Sequence, residues 1–231
     1  MRRTAYYRVL VPLLVGLLTA SLSLLVVGPG THAKKGCGPS WSGVTSGEHL
    51  TKPRAISPIA SNDIWIVGST KKRSGNIRTG AEHWNGRSWS VSSTPDVGTG
   101  LNMLNGVDAS GSKNVWAVGY SKSSARSKTL IERWNGTRWR VVKSPNAGTG
   151  GDNTLTSVDA LSSTNAWAVG SSLKRDSRKS LIQRWNGTSW KIVSSSNPGT
   201  LGNSLLGVAA AAPNDIWAVG WKNSENSGDG L

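Results

Sequence analysis

The chain has 231 residues, with 27 Lys and Arg against 12 Asp and Glu, a net charge of +15, 12 Trp, no Phe and one Cys. A hydrophobic fraction of 36% with this many Trp argues against wholesale disorder. One Cys excludes an intramolecular disulfide and, with only three His, a structural zinc cluster.

The N-terminal 33 residues have the order of a secretory signal. Three Arg precede residue 9, residues 9–27 are mostly apolar, and residues 31–33 place small side chains at a cleavage site. We therefore predict a signal peptide over residues 1–33 and a secreted or extracytoplasmic protein. The alternative is an uncleaved membrane anchor over residues 9–27, which approaches the ~20 residues that span a bilayer.

A repeat of about 51 residues runs through the rest of the chain. One motif, of the type WAVG, occurs four times, and a second, WNGxxW, occurs three times and is followed by a Pro. We interpret their Trp side chains as packing between sheets rather than as a ligand cage. These are Trp65, Trp116, Trp167 and Trp217 in the first motif, and Trp84, Trp89, Trp134, Trp139, Trp185 and Trp190 in the second.

Each repeat is predicted to form four short strands. In the third repeat these are residues 155–161, 166–171, 180–185 and 190–195, because apolar and polar residues alternate there between turn clusters. The predicted repeats cover 53–95, 103–145 and 154–196, with a partial one over 205–221; residues 34–52 form an N-terminal segment with an orphan outer strand near Trp41, and 222–231 form a polar tail.

The WNGxxW motif predicts a hairpin, for which two loop lengths are open. Asn135 and Gly136 suit a two-residue turn, which would make Trp134 and Trp139 diagonal neighbours. A four-residue loop would place these two Trp directly opposite each other. Both geometries put the two indoles on one face of the sheet.

Four-stranded units of this length are typical of β-propeller blades. The strand ending in Gly119, the aromatic residue before the turn at Trp134, the second Trp139 and Pro145 resemble the kelch repeat, with one Gly where kelch usually has two. The closer resemblance, over residues 41–221, is to exported bacterial WNGxxW/WAVG repeat proteins. It implies a β-propeller, or an open arc of one, with about 3.5–4 blades.

The partial fourth repeat leaves two interpretations open. The chain is either a truncated piece of a ring with six or seven blades, or a four-bladed ring with a defective closing blade. An open arc would expose strand edges and apolar faces, so we expect it to associate with another chain.

Basic residues concentrate in the predicted loops between the second and third strands. These loops should lie on one face with the loops that join successive repeats, and they predict a surface that attracts an anionic surface polymer or a protein. The competing interpretation is that they are solvated loop tips. The candidate binding residues are Lys71, Lys72, Arg73, Arg78, Lys122, Arg126, Lys128, Lys174, Arg175, Arg178 and Lys179.

The sequence favours a binding or scaffold module over an enzyme. The few His, Tyr and Cys residues lie at different structural positions, several of them in the N-terminal segment, so no catalytic residue, metal site or cofactor is predicted. Nucleic acid is not expected as a partner, because the chain is exported and these loops lack stacking aromatics. The alternative function is a fragment of a larger propeller enzyme, an oxidase or a glycosidase, with its catalytic residues outside this chain.

Overall fold

The computed structural model describes residues 49–123, 125–148, 150–175 and 177–224, together with the backbone of residues 6–10 and 40–44. The chain divides into two compact units, residues 1–46 and 47–231. In the first unit, β1 (Tyr6–Leu10) pairs antiparallel with β2 (Ser40–Val44), which coincides with the predicted orphan strand. The rest of the predicted signal or anchor lies outside the described residues. Across the part that the structure describes, no helix is long and apolar enough to cross a membrane.

The second unit is built from β-strands in the predicted repeat order. Three four-stranded antiparallel arrays, sheets 1 to 3, are followed by the C-terminal strand pair. Sheet 1 contains β3 (Lys52–Ala60), β4 (Asp63–Lys71), β5 (Ile77–Trp84) and β6 (Trp89–Ser92); sheet 2 contains β7 (Leu101–Gly111), β8 (Asn114–Lys122), β9 (Lys128–Trp134) and β10 (Trp139–Val142). Sheet 3 contains β11 (Asp152–Ser162), β12 (Asn165–Lys174), β13 (Ser177–Trp185) and β14 (Trp190–Val193), and the C-terminal pair is β15 (Gly202–Ala212) and β16 (Asp215–Asn223).

This arrangement confirms the all-β class, and its strands form three four-stranded arrays followed by a strand pair. The C-terminal pair is joined to sheet 3 by a single parallel bridge between Arg178 and Gly202. The first strands of successive sheets lie next to one another, with β3 against β7, β7 against β11 and β11 against β15. The sheets therefore stack in sequence order, in a propeller-like manner.

The glycine that ends the WAVG motif is required by a close approach of backbone. In sheet 2, Gly119 lies opposite Leu104, next to a bulge in the first strand. A Cβ on Gly119 would overlap the carbonyl oxygen of Met103, and Gly170 meets the carbonyl of Thr154 in the same way. Any side chain at this position would push the first strand away from the second.

The WNGxxW hairpin has a four-residue loop, so the two-residue turn is wrong. Trp134 pairs directly with Trp139, with residues 135–138 between them. The Asn135 side-chain oxygen accepts the backbone N–H groups of Thr137 and Arg138, both at 3.0 Å. Gly136 has a φ of 95°, which favours glycine. The Asn side chain thus stabilises the longer loop.

Tryptophan packing between sheets forms the core, as predicted. Trp65 of sheet 1 lies 4.9 Å from Trp134 and 5.2 Å from Trp139 of sheet 2, between ring centroids. Trp116 of sheet 2 repeats this arrangement with Trp185 at 5.0 Å and Trp190 at 5.1 Å in sheet 3. The second-strand indoles of sheets 1 and 2 therefore pack against the hairpin indoles of the next sheet.

The two faces of a sheet have different partners. We call the face that meets the following sheet the front face; in sheet 2 it carries Trp116, Val118 and Ile131. We call the face that meets the preceding sheet the back face; in sheet 2 it carries Leu104, Val115, Ala117, Leu130 and Trp139. Each internal junction joins one front face to one back face.

Candidate functional site

The corners between second and third strands lie at the same end of the sheets as the inter-sheet loops, as predicted. Arg78 Nη1 donates to the Gly98 carbonyl at 2.6 Å, and the Ser127 backbone N–H donates to Asp152 Oδ1 at 2.6 Å. The Ser180 N–H donates to Asn197 Oδ1 at 2.7 Å. These bonds define what we call the basic end of the second unit.

The corners are shorter than the sequence indicated. In sheet 3 the predicted loop 171–179 is mostly strand, because β12 extends to Lys174 and β13 begins at Ser177. Arg175, at the tip, has a φ of 55°, in the left-handed region that non-glycine residues seldom adopt. The side chain of Lys174 lies outside the described residues.

Eight of the candidate cations have exposed side chains. Arg78 and Arg178 do not, which corrects their assignment to a free binding surface. The eight exposed residues are Lys71, Lys72, Arg73, Lys122, Arg126, Lys128, Arg175 and Lys179.

Arg78 is held by contacts within the fold. Its side chain is almost wholly buried, where Nη1 bonds to Gly98 and Nε lies 3.6 Å from Asp96 Oδ1. The exposed Lys72 pairs with the same carboxylate, Nζ to Oδ2, at 2.9 Å. Half-buried Arg178 donates to the Ser171 hydroxyl at 2.9 Å. The sequence did not distinguish Arg78 and Arg178 from the exposed cations, because burial depends on which neighbouring segment each side chain contacts.

Asp152 places one negative charge at the basic end. Its pKa lies below the usual range, chiefly because the Ser127 backbone N–H donates to it, with further contributions from the Ser127 hydroxyl and the positive charges of Lys122 and Arg126. The carboxylate holds the start of β11 against the sheet 2 corner. It therefore offsets part of the positive charge of that corner.

A cleft of about 470 Å³ opens at the basic end between sheet 3 and the preceding inter-sheet loop. Its polar walls are two cations, Arg175 and Lys179, and two hydroxyls, Ser172 and Ser177; Ala147 and Gly148 complete the lining. None of these described lining residues is acidic, while Asp176 lies outside the described residues. Cations and hydroxyl donors in one cleft suit an anionic group.

His83 belongs to a stacking pair that recurs in the next sheet and that the sequence did not reveal. His83 stacks on Trp65 at 4.4 Å, and its Nε2 lies 2.8 Å from Asp63 Oδ1. At the equivalent position Arg133 lies over Trp116 at 4.8 Å, and its Nε donates to Asn114 at 2.7 Å. The only sequence signal for this pair was that a residue able to stack on an indole, His83 or Arg133, stands just before WNG in both repeats. The His–Asp pair therefore occupies a structural position.

Two repeated aspartates join neighbouring first strands. Asp108 Oδ2 accepts the Ala160 N–H at 2.7 Å, and Asp159 Oδ2 accepts the Ala210 N–H at 3.0 Å. The structural role that their recurrence indicated is confirmed. Over the part of the chain that the structure describes, no cluster of three or more His, Cys, Asp or Glu is arranged to hold a metal ion.

Glu132 is a buried carboxyl group between sheets 1 and 2. Its side chain is fully buried. Burial raises the pKa of Glu132 to about 8; the nearby Thr79 side chain partly opposes this rise, and the charge of Asp96 adds to it. Gln183 occupies the same position in sheet 3 and donates through Nε2 to the Pro145 carbonyl at 2.9 Å. The sequence showed that these positions correspond but gave no sign of their burial.

The described sheets and cleft define an all-β, propeller-like repeat unit with a basic end. No protein-family model matches the chain, and no curated protein matches it. The chain is similar to a solved structure of YCF48 bound to D1 peptide, with a TM-score of 0.43, 17% identity, 78% of this chain covered and 51% of that one. It thus spans about half the length of that chain.

A second similar structure is a fucose lectin from Kordia zhangzhouensis in complex with methyl-fucoside. The TM-score is 0.41 and the identity 13%, with 61% of this chain covered and 99% of that one. Similarities of this size identify no ligand for this chain.

Proposed function

We propose that this chain is an exported, non-catalytic module of the β-propeller type, with kelch-like repeats, that binds an anionic surface polymer at its basic end. The observation that carries the proposal is the cleft where Arg175 and Lys179 face Ser172 and Ser177. Export is supported by the order of basic, apolar and small residues over 1–33, with anchoring by residues 9–27 as the alternative.

The ligand class follows from the distribution of charge. Exposed cations occur at the corners of all three sheets, so a long polyanion can contact several of them, whereas a small anion contacts one or two. Charges of one sign on one surface raise the local concentration of an oppositely charged polymer. Each contact is exposed, so salt should weaken the binding strongly.

The non-catalytic assignment is supported by how the described acidic groups are used. Asp108 and Asp159 bond to backbone N–H groups of the next sheet, and Asp63 holds the stacked His83. Asp96 and Asp152 hold the corners against the inter-sheet loops. These carboxylates are thus engaged in structural contacts at repeated positions.

The test compares two triple variants that remove the same charge from opposite ends of the sheets. Lys71→Ser/Arg126→Ser/Lys179→Ser takes one exposed cation from each corner. The control, Arg87→Ser/Lys113→Ser/Arg138→Ser, removes exposed cations from the hairpin and turn end. Binding to polyphosphate and to alginate is measured by titration at several salt concentrations, with neutral dextran as a negative probe.

The basic-end triple should weaken polyanion binding by about tenfold or more and lower its salt dependence, since about three ion contacts are lost. The control triple should change the affinity less than about threefold. Equal losses in both variants would show that binding follows net charge alone, and would overturn the proposal.

A further inference from the structure

Equivalent side chains on the second strands have opposite environments at the two ends of the stack. Trp65 and Trp116 are 2% and 0% exposed, whereas Trp217, at the same repeat position in β16, is 69% exposed. Val67 and Val118 are fully buried, whereas the equivalent Val219 is 66% exposed. The front face of the C-terminal pair therefore has the apolar side chains of an internal junction, and no described part of this chain covers them.

The back face of sheet 1 is the other half of the same junction. Ile56 is 56% exposed, while the equivalent Val107 and Val158 are 7% and 6% exposed. The hairpin indoles Trp84 and Trp89 contact each other at 5.6 Å and remain half-buried. The backbone N–H groups of His49 and Leu50 donate to Glu82 at the centre of this face, where Glu82 and Ile66 are buried. The accessible part of the face is therefore the hairpin and Ile56.

The first strands at these two faces also match each other. At internal junctions the carboxylates of Asp108 and Asp159 accept N–H groups of Ala160 and Ala210. In the C-terminal pair, Ala209 occupies the repeat position of these aspartates. In sheet 1, Pro58 occupies the position of the two donor alanines, and it has no N–H to donate. A junction between these faces would leave neither an unpaired carboxylate nor an unpaired N–H at this point.

We propose that a second copy of this chain covers the open front face. Trp217 of one copy packs against Trp84 and Trp89 of the other, as Trp116 packs against Trp185 and Trp190 within the chain. The contact is head-to-tail, because two different faces meet. It rests on the repeat geometry and is independent of the anionic ligand.

The repeat itself identifies the occupant. The front faces of sheets 1 and 2 are each covered by the back face of a sheet with a WNGxxW hairpin. Sheet 1 has such a hairpin too, and on its back face Ile56 is exposed and the hairpin indoles are half-buried, although Ile66 and Glu82 at the centre are covered. Because Trp217 is exposed, sheet 1 of the same copy does not cover it. A second copy supplies the matching surface without any change in the fold.

The experiment uses sedimentation velocity of the full chain over a range of concentrations. The wild type should associate, and Trp217→Ser or Trp84→Ser alone should each raise the dissociation constant by about tenfold or more, as expected for interface Trp residues. Val141→Ser is the matched control and should leave association unchanged. Val141 is exposed on β10 of sheet 2, which belongs to neither of the two faces proposed to meet. Circular dichroism confirms that each variant is folded.

Mixing the two Trp variants tests the head-to-tail geometry. A mixture contains one junction with both native halves, Trp217 from one variant and Trp84 from the other, so association should return in the mixture as a dimer. A monomeric wild type would overturn the proposal. Association that persists in Trp217→Ser would assign it to another segment, residues 1–46 included, and would also overturn it. So would a mixture that fails to restore association.

Discussion

Glu132 shows how a single buried residue makes the stability of a junction depend on pH. The carboxyl group holds its proton up to about pH 8 in the folded chain, whereas the unfolded chain releases it near its ordinary pKa. Between these values folding takes up a proton, so the contribution of Glu132 to stability is full below about pH 4.5 and is lost as the pH rises toward 8.

Glu132→Gln should remove this dependence, because the amide carries no charge and can donate to the Pro95 carbonyl as Gln183 does to that of Pro145. As the pH rises from 5 to 8, the free energy of unfolding of the variant should increase relative to that of the wild type by up to about 1.4 kcal/mol per pH unit. Urea denaturation at a series of pH values measures this. Parallel profiles for the two proteins would show that Glu132 does not hold a proton in the fold.

At the scale of elements, the second-strand Trp is the main contact between sheets. Trp116→Ala removes a fully buried indole that packs on Trp185 and Trp190, and should lower the free energy of unfolding by about 3–5 kcal/mol. Trp217→Ala is the matched control at the same repeat position, where exposure limits the loss to about 0.5 kcal/mol in dilute monomer. Chemical denaturation measures both losses. Similar losses in the two variants would contradict the claim that Trp116 is a buried contact between sheets while Trp217 is exposed.

The strands could be predicted from the sequence because several motifs recur at the same interval. Alternation, the WAVG glycine and the Trp of the hairpin placed the four strands of the third repeat within a few residues of β11 to β14. The hairpin loop length could not be obtained in this way, because Asn135 and Gly136 suit two turn types and the Asn135 side-chain bonds select one. Strand periodicity carries no information on which loop a side chain turns back to contact.

The same limit applies to the candidate site. Sequence position correctly grouped the basic corners at one end, because antiparallel strands return alternate connections to the same end of a sheet. It could not separate Arg78, buried against Asp96 and Gly98, from exposed Arg73. The cleft beside Arg175 and Lys179 was also invisible, since it forms between sheet 3 and a loop that precedes it.

At the scale of the whole second unit, the residues that pack the sheets together differ in type from those proposed to bind a ligand. Tryptophan, glycine and the repeated acids hold the sheets together, while the corners tolerate charge because water and a polyanion can reach them. The proposed function therefore depends on several weak contacts held in fixed positions by a rigid stack, rather than on one deep pocket.

Lysine-reactivity footprinting with polyphosphate tests this account most directly, because it reports the location of binding rather than its strength. Acetylation of the protein with and without polymer is compared by mass spectrometry at exposed lysines of both ends. The account predicts protection of Lys71, Lys122, Lys128 and Lys179 at the basic end, with Lys113 and Lys191 at the other end unchanged. Equal protection at both ends, or protection confined to Lys113 and Lys191, would contradict it.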